Sequence, residues 1–223
     1  DWRLKVEAYY QHLVNVPVNT YPSSYSMLNT GASFKTDLED SLTNTGTGRN
    51  YGIELTIEKF FSRGYYGLFT ASLYQSKYTA SDGIERNTAF NGRYVTNLLA
   101  GKEWKLGKGK RNAITTDIKI TYAGGRFYTP IDLQASKSRG REVLKGDEYA
   151  FSNTYPDYFR LDFKVGYNLN SKAKKISQSI SLDLQNVTNN KNVFSQSYDD
   201  RSQTISTTYQ LGFFPNFIYK IQF

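Results

Sequence analysis

The chain has 223 residues, a net charge of +8, 39% hydrophobic residues and no cysteine. The missing thiols exclude disulfide frameworks and cysteine-based zinc sites. No stretch approaches the ~20 consecutive apolar residues of a membrane helix, but a strand of a membrane barrel needs only ~9 to 11 alternating residues. The 19 tyrosines and 14 phenylalanines are typical of the aromatic girdles of such a barrel.

Eight segments alternate between apolar and polar residues with a period of two, which predicts β-strands with one apolar face. In chain order they are residues 2–10, 51–57, 65–78, 93–104, 114–122, 159–169, 180–184 and 205–223. The apolar face is ambiguous in the third and fourth segments, where Phe69 competes with Leu68 and Leu98 competes with Leu99. The fold class is predicted to be all-β.

The sixth segment shows the alternation most clearly, because Phe159, Leu161 and Phe163 alternate with Arg160 and Asp162. Lipid on one side of a strand and water on the other explains this split. The charged residues expected to face the interior are Arg3, Lys5, Glu7, Glu54, Glu58, Asp117, Lys119, Arg160, Asp162, Lys164 and Asp183. The pattern predicts a transmembrane antiparallel β-barrel.

The last segment is predicted to be one strand, running from Ile205 to the final residue. The large residues at the end of its apolar face are Phe217, Tyr219, Ile221 and Phe223. Outer-membrane barrels finish in this way, with the aromatic end of the last strand at the membrane interface. Pro215 cannot donate to a ladder, so we expect it at a bulge or outside the paired band.

The connections between the segments alternate in length. The long ones are residues 14–47, 80–92, 123–157 and 187–204, and the short ones are 62–64, 106–111 and 170–175. Transmembrane barrels have short periplasmic turns and long extracellular loops. Counting back from a periplasmic C-terminus therefore places every long connection outside the cell.

The charges follow the same division. Basic residues crowd two short turns, namely Lys105, Lys108, Lys110, Arg111, Lys172, Lys174 and Lys175. Acidic residues concentrate in the long loops, namely Asp37, Glu39, Asp40, Asp147, Glu148, Asp199 and Asp200. The basic residues are not interleaved with stacking aromatics, so they predict solvated turns rather than a nucleic-acid surface.

Few residues are suited to catalysis or metal binding. His12 is the only histidine, and no partner for a catalytic or metal site lies near it in sequence. Gly124 and Gly125 open the longest loop and are expected to let the backbone turn off the rim. Arg126 follows them, and we expect its side chain to form an ion pair within the loop or to bind an anionic ligand. The sequence therefore predicts that the protein is not an enzyme and that it binds no cofactor and no metal.

Six stretches together resemble one family, the C-terminal part of the β-barrel of TonB-dependent outer-membrane receptors of the Bacteroidetes type. They are EAYYQHLVNVPV (7–18), GTGRNYGIELTIEKFF (46–61), YYGLFTASLYQSKYT (65–79), TYAGGRFYTPID (121–132), LDLQNVTNNKNVF (182–194) and YQLGFFPNFIYKIQF (209–223). None is a catalytic signature, and their order and spacing carry the resemblance.

The resemblance implies a 22-stranded barrel in the cell outer membrane, occluded by a plug and driven by the TonB complex to import a scarce nutrient such as siderophore-bound iron, haem or a glycan. Residues 1–223 would supply the last eight strands, so we expect a fragment that begins inside the barrel, with the signal peptide and plug absent. The resemblance also implies that the barrel-assembly machinery reads Phe217, Tyr219, Ile221 and Phe223 as a β-signal.

The residues leave other interpretations open. One is a complete eight-stranded outer-membrane barrel with a structural or adhesion role, and another is a soluble carbohydrate-binding β-sandwich, whose apolar faces would bury each other. A membrane hydrolase is disfavoured by the solitary histidine. The candidate ligand-binding residues in the long loops are Tyr21, Tyr25, Arg126 and Tyr128.

Overall fold

A computed structural model describes residues 1–32, 39–171 and 176–223 of the chain. Its strands are β1 (Trp2–Asn19), β2 (Leu42–Ser62), β3 (Tyr65–Thr79), β4 (Glu85–Asn87), β5 (Tyr94–Leu106), β6 (Asn112–Ala123), β7 (Phe127–Tyr128), β8 (Asn153–Thr154), β9 (Tyr158–Asn170), β10 (Ser177–Gln185), β11 (Val193–Asp199), β12 (Thr204–Tyr209) and β13 (Phe214–Gln222). One α-helix, α1 (Leu133–Arg139), and short 3-10 turns at Met27–Asn29 and Asp147–Tyr149 complete the elements. None of the helices in these ranges has the length and apolar character to cross a membrane.

The eight long strands form one antiparallel sheet in the order β1-β2-β3-β5-β6-β9-β10-β13, which is also their order along the chain. β4 pairs with β3, while β11 with β12 and β7 with β8 form separate two-stranded sheets. Seven of the long strands correspond to predicted segments, and β13 corresponds to the second half of the last predicted segment. The predicted all-β antiparallel architecture is therefore confirmed.

One face of this sheet is apolar and exposed. Side chains of directly paired residues point to the same face, and one row of paired residues is Leu4, Ile57, Phe69, Leu98, Ile120 and Leu161. Leu4 and Leu73 are 69% and 60% exposed. In a sandwich these residues would be buried against a second sheet, so the soluble sandwich does not describe this fold.

The opposite face is polar, and several of its charges lie opposite a charge of the other sign, although Glu7 lies opposite Glu54. Lys164 lies opposite Asp117 on β6 and Asp183 on β10. On β1 and β2, Arg3 forms an ion pair of 2.5 Å with Glu58. All charged residues predicted to face the interior lie on this face, and the pairing register settles the two ambiguous strands.

The long connections leave one edge of the sheet and the short turns leave the other, as predicted. Residues 63–64 and 107–111 form two of the short turns. In the third, Lys172, Lys174 and Lys175 lie outside the described residues, as does the predicted acidic Asp37. Two predicted long connections have other bounds in the structure. The connection predicted at 14–47 is shorter, because β1 extends to Asn19 and β2 begins at Leu42, and the one predicted at 187–204 is longer, because it runs from the end of β10 to the start of β13 and includes β11 and β12.

The last predicted strand is wrong, since residues 205–223 form two strands instead of one. β12 pairs with β11, and β13 pairs with β10. The residues between them bond to an asparagine-rich turn: Asn192 accepts a hydrogen bond from Gln210 N–H through its backbone carbonyl, and Asn189 accepts one from Phe213 N–H through its side chain. At residues 210–213 these hydrogen bonds take the place of bonds to a neighbouring strand. The alternation of apolar and polar residues nevertheless continues along the sequence.

Pro215 was also predicted wrongly. It lies opposite Leu184 inside an uninterrupted register. β13 is the last strand of the sheet, and an edge strand tolerates a residue without an N–H group.

The sheet is open in the described part of the chain. β1 pairs only with β2, and β13 pairs only with β10. A closed eight-stranded barrel would require β1 and β13 to pair with each other, so the structure does not support that alternative. The count of 22 strands and the domain bounds of 1–223 stay predictions.

A charge placed on the apolar face tests the assignment of the two faces. We expect Leu161→Arg to lower the free energy of unfolding of the intact receptor in lipid vesicles by roughly 2 to 4 kcal/mol, the cost of a lipid-facing arginine near the midplane. Ser72→Arg is the matched control, because the Ser72 hydroxyl lies 3.4 Å from the Glu54 carboxylate on the polar face. Equal losses in urea unfolding would show that the faces are not distinct.

Candidate functional site

The long connections form a rim at one edge of the sheet, and this rim is the candidate functional site. We name its loops L1 (20–41, of which 33–38 are not described), L2 (80–93), L3 (124–157) and L4 (186–213). Side-chain contacts join each loop to at least one other. The rim is therefore a connected structure built on the strand ends.

A small apolar core anchors L1 and L3 to the top of β3. Tyr78 is almost fully buried and packs edge-on against Phe151, with ring centroids 6.1 Å apart. Its hydroxyl donates a hydrogen bond of 2.9 Å to the carbonyl oxygen of Ser24. The other residues of this core are Val18, Leu28 and Ala80.

A buried ion pair stabilises L2 and ties it to L3. The Arg86 guanidinium donates two hydrogen bonds to the Asp82 carboxylate, at 2.6 and 2.9 Å, and a third to the carbonyl oxygen of Asp147. Ser24 of L1 donates to the Asp147 carboxylate. The hydrogen bonds from Arg86 hold the pKa of Asp82 below its usual value. Three loops thus meet around one carboxylate–guanidinium pair.

Asp157 connects the two ends of L3 to each other and to the neighbouring strands. Its carboxylate accepts hydrogen bonds from the hydroxyls of Tyr94 and Tyr122, at 2.6 and 3.1 Å, and from the N–H of Gly125 at 3.1 Å. Arg93 lies 3.5 Å away. The Tyr94 hydrogen bond is the main cause that lowers the pKa of Asp157. The carboxylate fixes both ends of L3 to β5 and β6.

The start of L3 requires glycine for a different reason than predicted. A Cβ on Gly125 would lie 1.7 Å from the carbonyl oxygen of Tyr155, so only glycine permits this approach of the two backbone segments. Arg126 then donates to the carbonyl oxygen of Phe194 at 2.8 Å. The predicted ion pair of Arg126 within the loop does not occur among the described residues. Tyr128 stacks on Tyr155 with ring centroids 4.2 Å apart.

An asparagine cluster organises L4. Asn186 is 1% exposed and donates to the carbonyl oxygens of Asn190 and Leu211. Asn192 pairs with the backbone of Phe159, accepting from its N–H and donating to its carbonyl oxygen. Sequence reasoning missed this cluster, although the run of closely spaced asparagines in residues 186–192 was a visible signal.

The predicted ligand-binding residues form two separate pairs. Tyr21 is 55% exposed, and its hydroxyl lies 3.4 Å from the Glu39 carboxylate, whose charge raises the pKa of Tyr21. Tyr25 is half-buried in the same loop. Arg126 and Tyr128 belong to L3 and make contacts with L4 and within L3. A role of these residues in ligand binding stays a prediction.

His12 lines a small cavity beside Arg49, Lys77 and Glu85, of about 40 Å³. Ligand pockets measure roughly 300 to 1,000 Å³, so this cavity holds water at most. No cluster of three or more metal-ligating side chains occurs among residues 1–32, 39–171 and 176–223.

The predicted β-signal residues lie on the last strand. Phe217, Tyr219 and Ile221 share the apolar face of β13, where Tyr219 donates to the side-chain oxygen of Gln178. Phe223 lies one residue past the strand and is 94% exposed. Recognition by the assembly machinery stays a prediction.

Comparison with known proteins agrees with the fold. A family model described as "TonB dependent receptor-like, beta-barrel" matches residues 1–189. No curated protein and no solved structure matches the chain. The match covers most of the sequence, so the chain belongs to the TonB-dependent receptor β-barrel family. Proteins of this family are outer-membrane receptors and transporters rather than enzymes.

The Asp82–Arg86 pair predicts a pH dependence of L2. Because the folded-state pKa of Asp82 lies below the unfolded value of ~3.9, its stabilisation is complete above that value and is lost as the pH falls through the lowered pKa. We expect amide hydrogen exchange in L2 to accelerate in this acidic range. Asp82→Asn should accelerate it already at neutral pH, by the loss of about 1.5 to 3 kcal/mol for bonds to a charged group.

Glu148→Gln is the control, because Glu148 is exposed on the same rim. It should leave L2 exchange unchanged. An acid step of equal size in wild type and Asp82→Asn would assign the pH dependence to another group.

Proposed function

We propose that this protein is an outer-membrane receptor that binds a scarce nutrient at its rim and imports it with energy from the TonB complex. Siderophore-bound iron, haem and glycans are the candidate nutrients. The observation that supports this proposal most is the eight-stranded meander, with an exposed apolar face, a charged polar face and all long loops at one edge. A lipid-facing exterior and a watery interior account for both faces.

The rim has the features expected of an extracellular binding surface. Its loops are held by the Arg86–Asp82 pair and the Asp157 carboxylate, which reduces the ordering cost of binding. Tyr128 and Tyr155 form a stacked pair of aromatic rings in L3, and Tyr21 is exposed in L1. Aromatic faces of this kind bind sugar rings and the aromatic groups of siderophores alike.

The proposal includes partners outside the described sheet. Among the described residues, no strand pairs with the second side of β1 or of β13. The remaining strands of a larger barrel, of 22 in all, would pair there. A plug from the same receptor would contact the polar face and the TonB complex. The barrel-assembly machinery would read Phe217, Tyr219, Ile221 and Phe223.

Uptake by cells that express the intact receptor tests the transport role. We expect one of three labelled nutrients, a ferric siderophore, haem or an oligosaccharide, to enter only when the receptor is present. A protonophore should stop uptake and leave surface binding intact, because TonB coupling consumes the proton gradient. Uptake that persists without the gradient would indicate a passive pore.

Binding to the same cells tests the rim. Tyr128→Ala should weaken binding about tenfold, since stacking on an aromatic ring contributes roughly 0.5 to 1.5 kcal/mol or more. Tyr149→Ala is the matched control, because Tyr149 is an exposed tyrosine of the same loop. Equal effects of both changes would remove the assigned role of Tyr128.

Deletion of Phe223 tests the β-signal. Phe223 is exposed and contributes little to the folded sheet, so we expect a sharp fall in outer-membrane receptor level with near-normal ligand affinity of the receptor that assembles. Phe213→Ala is the control, because Phe213 is an exposed aromatic outside the signal. Normal surface level with lost binding would contradict the signal.

A further inference from the structure

The apolar face carries very few charges within its band. Between the row of Tyr10 and Tyr51 and the short turns, the outward positions of the eight long strands carry two charged side chains in the described part of the chain, Lys59 and Lys102. A lysine facing lipid is costly at the midplane and tolerated near the interface. Both lysines lie close to the short-turn edge, which is the interface level.

The two lysines flank one aromatic ring. The Lys59 ammonium lies 4.7 Å from the ring centroid of Tyr65, and Lys102 is the directly paired residue of Tyr65 on β5. Lys59 is 5% exposed and donates to the carbonyl oxygen of Phe60 and the hydroxyl of Ser62. The carboxylate of Asp1 lies 3.9 Å from the Lys59 ammonium and is largely exposed. Lys59 is thus a positive charge held in place within the apolar face.

Lys102 is exposed and lies over the ring of Trp104, with the ammonium 5.4 Å from the centroid. No carboxylate within ion-pair distance of Lys102 occurs in the described ranges. Tryptophan and tyrosine are the residues that membrane proteins place at the headgroup level. A free lysine beside them is positioned for an anionic headgroup.

A groove in the apolar face begins beside Lys59. The residues paired in that row are Lys59, Gly67 and Ala100, so the sheet lacks bulk there. The resulting cavity has a volume of about 190 Å³. Its apolar side chains are Trp2, Ile57, Tyr65, Phe69 and Leu98. The groove is suited to a hydrocarbon segment and has a lysine at its end.

We propose that Lys102 binds the phosphate of an anionic phospholipid in the leaflet at the short-turn edge, with the buried positive charge of Lys59 nearby and one acyl chain in the groove over Gly67. The site rests on the membrane placement in the proposed function. Charge favours this occupant, because the adjacent turn adds Lys108, Lys110 and Arg111 to the same edge. Anionic headgroups attract such cations at the membrane surface.

Fluorescence quenching in the intact receptor tests this site. The receptor is reconstituted in phosphatidylcholine vesicles that contain brominated phosphatidylglycerol or brominated phosphatidylcholine. The readout is the quenching of Trp104, obtained by subtracting the Trp104→Phe variant. We expect phosphatidylglycerol to bind at least about fivefold more strongly than phosphatidylcholine, the factor that corresponds to about 1 kcal/mol for one lysine near an anionic surface.

A Lys102 variant separates this site from the general positive charge of the short-turn edge. Lys102→Gln should lower the preference for phosphatidylglycerol about fivefold, whereas Lys105→Gln, on the polar face opposite Ala113, should leave it unchanged. Gly67→Leu should reduce binding of both lipids by filling the groove. This variant should fold, since a Cβ at Gly67 meets only the Leu99 carbonyl oxygen at 3.7 Å.

The outcomes distinguish this site from the proposed function. Absence of quenching by either brominated lipid would overturn the membrane placement and the site together. Quenching by both lipids without a preference, or an equal loss in Lys105→Gln, would overturn the site alone. Displacement of the brominated phosphatidylglycerol by excess inorganic phosphate would overturn the lipid assignment in favour of a simple phosphate site.

Discussion

Hydrocarbon offers no hydrogen-bond partner to a peptide group, so a strand in lipid has to pair its backbone with neighbouring strands. The ladder that results fixes the side chains, which alternate between the two faces. In this chain the ladder runs through eight strands, and it aligns Leu4, Ile57 and Phe69 on one face and Arg3 and Glu58 on the other. The division between a lipid face and a water face depends on this register.

The rim depends on the same ladder. β1 to β3 extend beyond the apolar band, and their ends bring L1 and L3 together around Tyr78. Polar groups then join segments that are far apart in sequence. The Asp157 carboxylate accepts from Tyr94, the Asp147 carboxylate accepts from Ser24, and the Asp147 backbone carbonyl accepts from Arg86. The sheet therefore determines which loops can meet, and a few hydrogen-bonded polar groups hold these loops together.

The strands were predictable because period-two patterning is a local property. β9 could be assigned directly, with Phe163 between Asp162 and Lys164. In β3 both faces carry large residues, so the register with β2, where Ile57 pairs with Phe69, was needed to decide. The pattern failed at residues 205–223, because alternation does not reveal a hydrogen-bond partner, and the asparagine turn competes for that backbone.

The candidate site was less predictable. The Asp82–Arg86 pair has a spacing that the sequence displays, but its burial depends on L3. Asp157 and Tyr94 are 63 residues apart, and no local pattern links them. Gly125 was expected to provide a turn, whereas its missing side chain admits the Tyr155 backbone. Candidate loop residues could be predicted from their residue type, but the residues that they contact could not.

The most direct test of the two-faced sheet is a spin-label scan through β9, at positions 159 to 167, in the intact receptor in lipid vesicles. Labels at odd positions should be accessible to oxygen dissolved in the bilayer, and labels at even positions should be accessible to a polar relaxant in water. Such an alternation would support a strand with lipid on one side and the aqueous interior on the other. Equal accessibility to the polar relaxant at odd and even positions would contradict the account.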